Sequence, residues 1–126
     1  MLRACHRVLK PGGRLAFYTI FVAPGLTRGD YRRALRSGPS AVSARRKDHE
    51  DMLRAAGFRD IAQTDLTEEF LRTTRGWYEG RQRHAAELIA AGGEAMFRER
   101  QSDSRKQMRA IEDGLLCRAL FVATRP

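Results

Sequence analysis

Cysteine is scarce in this chain. There are two, Cys5 and Cys117, in 126 residues. They form no Cys-x-x-Cys pair, which excludes a readable disulfide framework or thiolate metal site. Both fall in apolar periodic segments and read as small buried hydrophobes. Histidine is equally sparse. His6, His49 and His84 are scattered without ligand spacing, so no metal is expected. Long apolar runs are missing. The longest, Leu15 to Pro24, is interrupted by Tyr18 and Thr19, and it falls short of the roughly 18–20 residues of a membrane span. The opening residues, Met1 to Arg7, carry no long apolar segment and no small-residue cleavage pattern. No signal peptide is read there, and a cytoplasmic location is the expectation.

Acidic residues are also in short supply, 15 against 24 Lys and Arg, for a net charge of +9. Such a balance suits nucleic acid or an anionic surface. The cations are nearly all arginine, densest from Arg28 to Lys47, where only Asp30 opposes them. That stretch holds one aromatic, Tyr31, and lacks the interleaved stacking residues of a single-strand binder. The composition is 42% hydrophobic and 31% charged, which places the chain among foldable, single-core domains and away from disordered ones. No internal repeat or low-complexity tract is present.

The local pattern alternates helix and strand. Leu2, Cys5, Val8 and Leu9 share a helical face that Pro11-Gly12-Gly13 stops. Leu15 to Val22 is apolar on both faces and rich in aromatic and β-branched residues, the character of a central parallel strand. Residues 23–47 read as loop with a short helix from Gly29 to Arg36. Asp48 is placed to cap a helix over Asp48 to Ala56, closed by Gly57. Ile61 to Leu66 alternates with polar residues, as a strand near a sheet edge does. One long helical region follows from Thr67 to Gly92-Gly93, then another helix ending at Gly114. Leu115 to Thr124 reads as a buried strand. The order is that of an α/β protein. Three strands, two of them doubly apolar, make a poor independent sheet, because their edges and faces want cover.

The run Arg7-Val8-Leu9-Lys10-Pro11-Gly12-Gly13-Arg14-Leu15 resembles the helix-to-strand junction before the fifth strand of class I methyltransferases that use S-adenosylmethionine (SAM). Leu53-Arg54-Ala55-Ala56-Gly57-Phe58 resembles the junction before their sixth strand, and Leu115 to Thr124 their antiparallel last strand. The resemblance spans nearly the whole chain. It implies an α/β fold comprising the last three strands of a partial Rossmann-like methyltransferase sheet, with a helical insertion at about residues 68–113 before the final strand. The chain, residues 1–126, would be the C-terminal portion of such a domain. The glycine-rich turn after the family's first strand and the acidic residue ending its second are absent. No SAM-binding residue is therefore carried over, although SAM is the cofactor that the resemblance implies.

In open α/β sheets ligands bind beyond the carboxyl ends of the strands. The family often covers its acceptor with the segments that correspond here to residues 22–47 and 68–113. The resemblance therefore implies an acceptor-side role, with Phe21, Tyr31, Trp77 and Tyr78 as candidate pocket residues and no catalytic residue assigned. Trp77 and Tyr78 fit an apolar helix face, so core packing is their first reading. Tyr31 divides evenly between pocket and surface. His49 and His84 are candidate bases, but they sit among charged neighbours and read first as surface. The Arg28 to Lys47 stretch is able to steer an anionic acceptor, and it too reads first as a solvated surface. The functional expectation is a SAM-dependent methyltransferase portion that acts on a small-molecule acceptor when joined to an N-terminal half. The alternative is a non-catalytic α/β module that dimerises through exposed strands. A basic nucleic-acid-binding domain ranks last, because no reading motif accompanies the charge.

Overall fold

The computed structural model of the chain describes residues 1–39, 42 and 48–126. Ser40, Arg45, Arg46 and Lys47, which the sequence places in the basic loop, lie outside them. The elements run α1 (Leu2–Val8), β1 (Arg14–Val22), α2 (Arg28–Ser37), α3 (His49–Ala55), β2 (Arg59–Asp65), α4 (Thr67–Arg83), α5 (Ala85–Gly92), α6 (Glu94–Glu112) and β3 (Leu116–Thr124).

The two glycine junctions follow from local backbone chemistry. At the first, the Gly12 amide donates to the Arg125 carbonyl at 2.7 Å and the Gly13 amide to Lys10 at 2.8 Å. A Cβ on Gly13 would lie 2.7 Å from the Lys10 carbonyl oxygen, so the turn has no room for a side chain. The Arg125 guanidinium closes the end of α1 by donating to the Arg7 and Leu9 carbonyls. At the second, Gly57 has φ +98 and a Cβ there would stand 2.9 Å from His6 Nε2. Glycine is required on both counts. The reversal delivers the fully buried Phe58, whose ring meets His6 edge-on at 5.1 Å.

The strand order is β1-β3-β2, with β3 antiparallel to both neighbours. This corrects the expectation for Leu15 to Val22. Among the described residues the strand is not central and has no parallel neighbour; it is an edge strand paired with β3 alone. Its doubly apolar character arises because its C-terminal half is covered on both faces. β2 is the other edge, as its alternation indicates, with a register shift between Arg59 and Ala62 and a positive φ at Asp60.

Strand alternation sorts the side chains into two faces. One face packs Leu15, Phe17, Phe21, Ala119, Phe121 and Ala123 against α1 and α3, with Leu53 and Phe58 at its centre. Phe17 stacks on its cross-strand partner Phe121 at 5.4 Å. The second face packs Ile20, Val22 and Leu116 against Ala34 of α2, Phe70 of α4, and Ala110 and Ile111 of α6. The rest of that second face lies open. Ala16, Ala62 and Thr64 are exposed, and Tyr18 is 58% exposed beside half-buried Leu120 and Val122. The Arg118 guanidinium lies 5.0 Å from the Tyr18 ring.

Three helices, not two, fill the stretch between β2 and β3, because the helical region breaks at His84 as well as at Gly93. Asp65 Oδ1 accepts from the Thr67 amide at 3.0 Å and starts α4. The Asp48 carboxylate caps α3 by accepting from the Glu50 amide at 3.2 Å. The cysteines are half-buried instead of fully buried. Burial pushes the Cys117 thiol up, and Asp65 pushes it the same way, while a hydrogen bond with Thr67 works against both. Among the described residues no helix is long and apolar enough to cross a membrane, and no group of His, Cys, Asp or Glu is arranged to hold a metal.

Beside the apolar packing of Phe70 with Ala110 and Ile111, the contact between α4 and α6 has a polar part. Gln101 is buried, donates to the Tyr78 carbonyl at 3.1 Å and accepts from Arg81 Nε at 2.7 Å. The Arg81 guanidinium also donates to Ser104. Buried Thr74 donates to the Phe70 carbonyl at 2.9 Å. Replacing Gln101 with Leu removes a bond from each of two half-buried partners, the Tyr78 carbonyl and the Arg81 guanidinium. Urea unfolding of Gln101→Leu is expected to show a loss of about 1–3 kcal/mol; an unchanged midpoint would refute this account of the interface.

Candidate functional site

β1 ends at Val22, and the chain leaves the sheet through Ala23-Pro24-Gly25 into α2. Thr27 caps that helix, its hydroxyl accepting from the Asp30 amide at 3.2 Å. α3 begins nearby with Asp48 and His49. A cavity of about 1000 Å³ opens at this carboxyl end of β1. Its floor is the first sheet face, with Phe21 of β1, Phe121 of β3 and Gln63 of β2. Its walls come from the loop after β1, from α2 through Arg28, Tyr31 and Arg32, and from α3 through His49.

His49 is the residue that sequence reasoning placed wrongly. It is half-buried, and its ring lies 5.2 Å from that of Phe121 and 5.6 Å from that of Phe21. Its charged neighbours suggest a surface residue. A better signal was present in the spacing. His49, Met52, Leu53 and Ala56 fall at i, i+3, i+4 and i+7, the inward face of α3.

Of the four residues singled out from sequence, two meet. Phe21 and Tyr31 line this cavity together. Trp77 does not belong to it. It lies in a separate groove of about 790 Å³ along α4 and α5, with Gly76, Gly80, His84 and Leu88. Core packing, its first reading, is overturned, because Trp77 is 66% exposed. Tyr78 lines neither cavity. It faces α6, where its hydroxyl accepts from Arg105 at 3.4 Å and the guanidinium lies 5.9 Å from its ring. His84 is exposed at the break between α4 and α5, with Nδ1 3.5 Å from Glu87.

The α4–α5 groove is the more apolar of the two, but its polar side chains, Thr73, Arg81, His84 and Glu87, come from two consecutive helices and their junction, and it does not reach the sheet. The cavity at β1 does. It gathers a hydroxyl, an imidazole, an amide and two guanidiniums over an aromatic floor, and it sits where open α/β sheets place their ligands. It is therefore the candidate site.

Comparison with solved structures bears on the fold. Phosphoethanolamine N-methyltransferase 2 of Haemonchus contortus, solved with S-adenosyl-L-methionine, superposes with a TM-score of 0.85 at 19% identity, over 99% of this chain and 29% of that one. The fold is that of SAM-dependent methyltransferases. The Mycobacterium tuberculosis cyclopropane synthase MmaA2 gives 0.82 at 19% identity, over 98% of this chain and 48% of the other. The cyclase SpnF gives 0.67 at 21% identity, over 99% and 43%. The chain thus spans less than half the length of each of these three structures, a coverage that fits a C-terminal segment of the methyltransferase fold. No protein-family model matches the sequence, and no curated protein matches it. A cyclase among the structural neighbours shows that this fold does not dictate one reaction.

The placement of Trp77 is directly measurable, since it is the single tryptophan. Its native emission is expected near that of a solvated indole and open to quenching by acrylamide. A blue-shifted, protected emission would return Trp77 to the core. Trp77→Ala is expected to change stability by no more than about 0.5 kcal/mol.

Proposed function

We propose that this chain forms the acceptor side of a SAM-dependent methyltransferase, with the cavity at the end of β1 receiving a small-molecule methyl acceptor. The observation that carries this reading is the position of the cavity. It lies at the carboxyl end of a strand in a sheet with the methyltransferase fold, and it is lined by residues from every strand and from α2 and α3.

The residues present do not fit SAM itself. Open α/β sheets cradle such cofactors on a glycine-rich turn after a strand. Among the described residues, the turn after β1 holds a single glycine, Gly25, and β2 passes into α4 through Leu66 alone. SAM would be held by a partner segment of different sequence, an N-terminal half. What this chain supplies is orientation. Phe21 and Phe121 shape a flat apolar floor, and His49 and Tyr31 stand over it as polar groups able to hold a nucleophile's hydrogen. Fixing a reactant in line accounts for a large share of the acceleration in bimolecular transfers. A basic side chain helps only where the acceptor atom carries a proton.

A second reading is favoured by the open edge of β1 and the uncovered second face at Ala16 and Tyr18. A chain with these features is suited to pairing its strands with another copy, as a non-catalytic module. One experiment addresses both readings: calorimetric titration of SAM into the purified chain, with light scattering on the same sample. The acceptor-side reading predicts no saturable heat from a folded monomer. Saturable binding by the monomer contradicts it, because the chain would then hold a SAM site of its own. A dimer that ignores SAM favours the pairing module, and a compact monomer removes it.

A further inference from the structure

The chemistry of the candidate cavity is lopsided. Arg28 and Arg32 lie one helical turn apart on α2, and both line it. Like charges at this spacing repel each other by a few tenths of a kcal/mol in an isolated helix. Five other arginines among the described residues are ion-paired. Arg33, next in the chain, meets Asp113 at 2.5 Å, and Arg54, Arg72, Arg75 and Arg98 each reach a glutamate. Arg28 and Arg32 make no ion pair among the described residues. The one carboxylate in the lining, Asp48, keeps its charge while it accepts the Glu50 amide, and the two arginines outnumber it. The N-terminus of α2 opens on the same mouth and adds its positive end.

We infer that the cavity selects an acceptor carrying an oxyanion, held by the Arg28 and Arg32 guanidiniums, with its apolar body on Phe21 and Phe121. This deepens the acceptor-side reading above and rests on it. Two guanidiniums offer forked donors that match the oxygens of a phosphoryl or carboxylate group. The aromatic floor takes the rest of the molecule out of water, and Tyr31, between the two arginines in sequence, adds a hydroxyl at the same wall. The arginines therefore set the orientation of the acceptor: the charged end lies toward α2 and the opposite end toward His49.

The test uses the 126-residue chain and three probes of one shape: phenyl phosphate, phenylacetate and benzyl alcohol, followed by NMR shifts of the His49 and Tyr31 side chains at low salt. Phenyl phosphate and phenylacetate are expected to bind at least tenfold tighter than the alcohol. Phosphate ahead of carboxylate assigns a phosphoryl acceptor and the reverse order a carboxylate; both support the oxyanion. Arg28→Gln with Arg32→Gln is expected to weaken both anions about tenfold or more and leave the alcohol unchanged. Arg28→Lys with Arg32→Lys, which keeps the charge, is expected to restore most of that loss. If the glutamine variant does not fold, the wild-type salt dependence decides. Raising the ionic strength must weaken the anions and spare the alcohol. Equal binding of all three probes, or anion binding that neither the variant nor salt disturbs, overturns the inference. That result leaves the methyltransferase reading intact, because the SAM titration decides that reading separately.

Discussion

The rest of the structure depends on the antiparallel pairing of β3 with both of the other strands. Among the described residues β3 is the only strand with two neighbours. Nothing in the sheet is complete until residues 116–124 arrive, and the ladder they close runs from Arg14 opposite Thr124 to Val22 opposite Leu116. Ala119, Phe121 and Ala123 of β3 centre one core, and Leu116 anchors the other. The Arg125 side chain then ties the end of α1 to the sheet. Long-range closure of this kind costs loop entropy before its contacts form, so the burial of Phe58, Phe121, Leu53 and Leu116 must offset that cost.

The same pairing positions the site. Because β3 lies between β1 and β2, Phe121 stands opposite Gln63 on the sheet face that also carries Phe21, and His49 from α3 lies within 5.6 Å of both aromatic rings. α2 is held over the end of the sheet by Ala34 in the second core and by the Arg33–Asp113 ion pair to the end of α6. Its arginines at positions 28 and 32 are thereby presented to the cavity. The fold thus joins an aromatic floor from the sheet to a cationic wall from one helix, and the proposed acceptor site rests on that combination.

Much of this was legible in the sequence, for local reasons. Pro11-Gly12-Gly13 and Gly57 are demanded by backbone geometry within a few residues, so their turns could be read directly. The cap at Asp48, the break at Gly93 and the apolar strand before Thr124 are local too. What was not legible depends on partners far along the chain. Periodicity shows that Ile20 and Phe21 are covered on two faces, but it cannot show whether a strand has one lateral neighbour or two. Heptad counting puts Trp77 with Phe70. The covered stripe of α4 instead steps by fours through Phe70, Thr74 and Tyr78, and that drift leaves Trp77 on the flank. The polar part of the α4–α6 contact is carried by Thr74, Arg81 and Gln101, groups that a search for apolar stripes passes over. The cavity itself assembles from five elements; of its residues the sequence singled out Phe21 and Tyr31 as pocket candidates, while His49, Arg28 and Arg32 read first as surface.

Residue-resolved hydrogen exchange of the dilute chain tests the central claim most directly. The Ala23 amide donates to Leu115 and the Leu66 amide to Arg118, so the two-residue alternation turns the amides of Ala16, Tyr18, Ile20 and Val22 away from β3. The account predicts that amides along β3 exchange only through global unfolding, while those outward β1 amides exchange orders of magnitude faster. Equal protection on the outer edge of β1 and along β3 would contradict it, because that edge would then be occupied and β3 would no longer be the one strand with two neighbours.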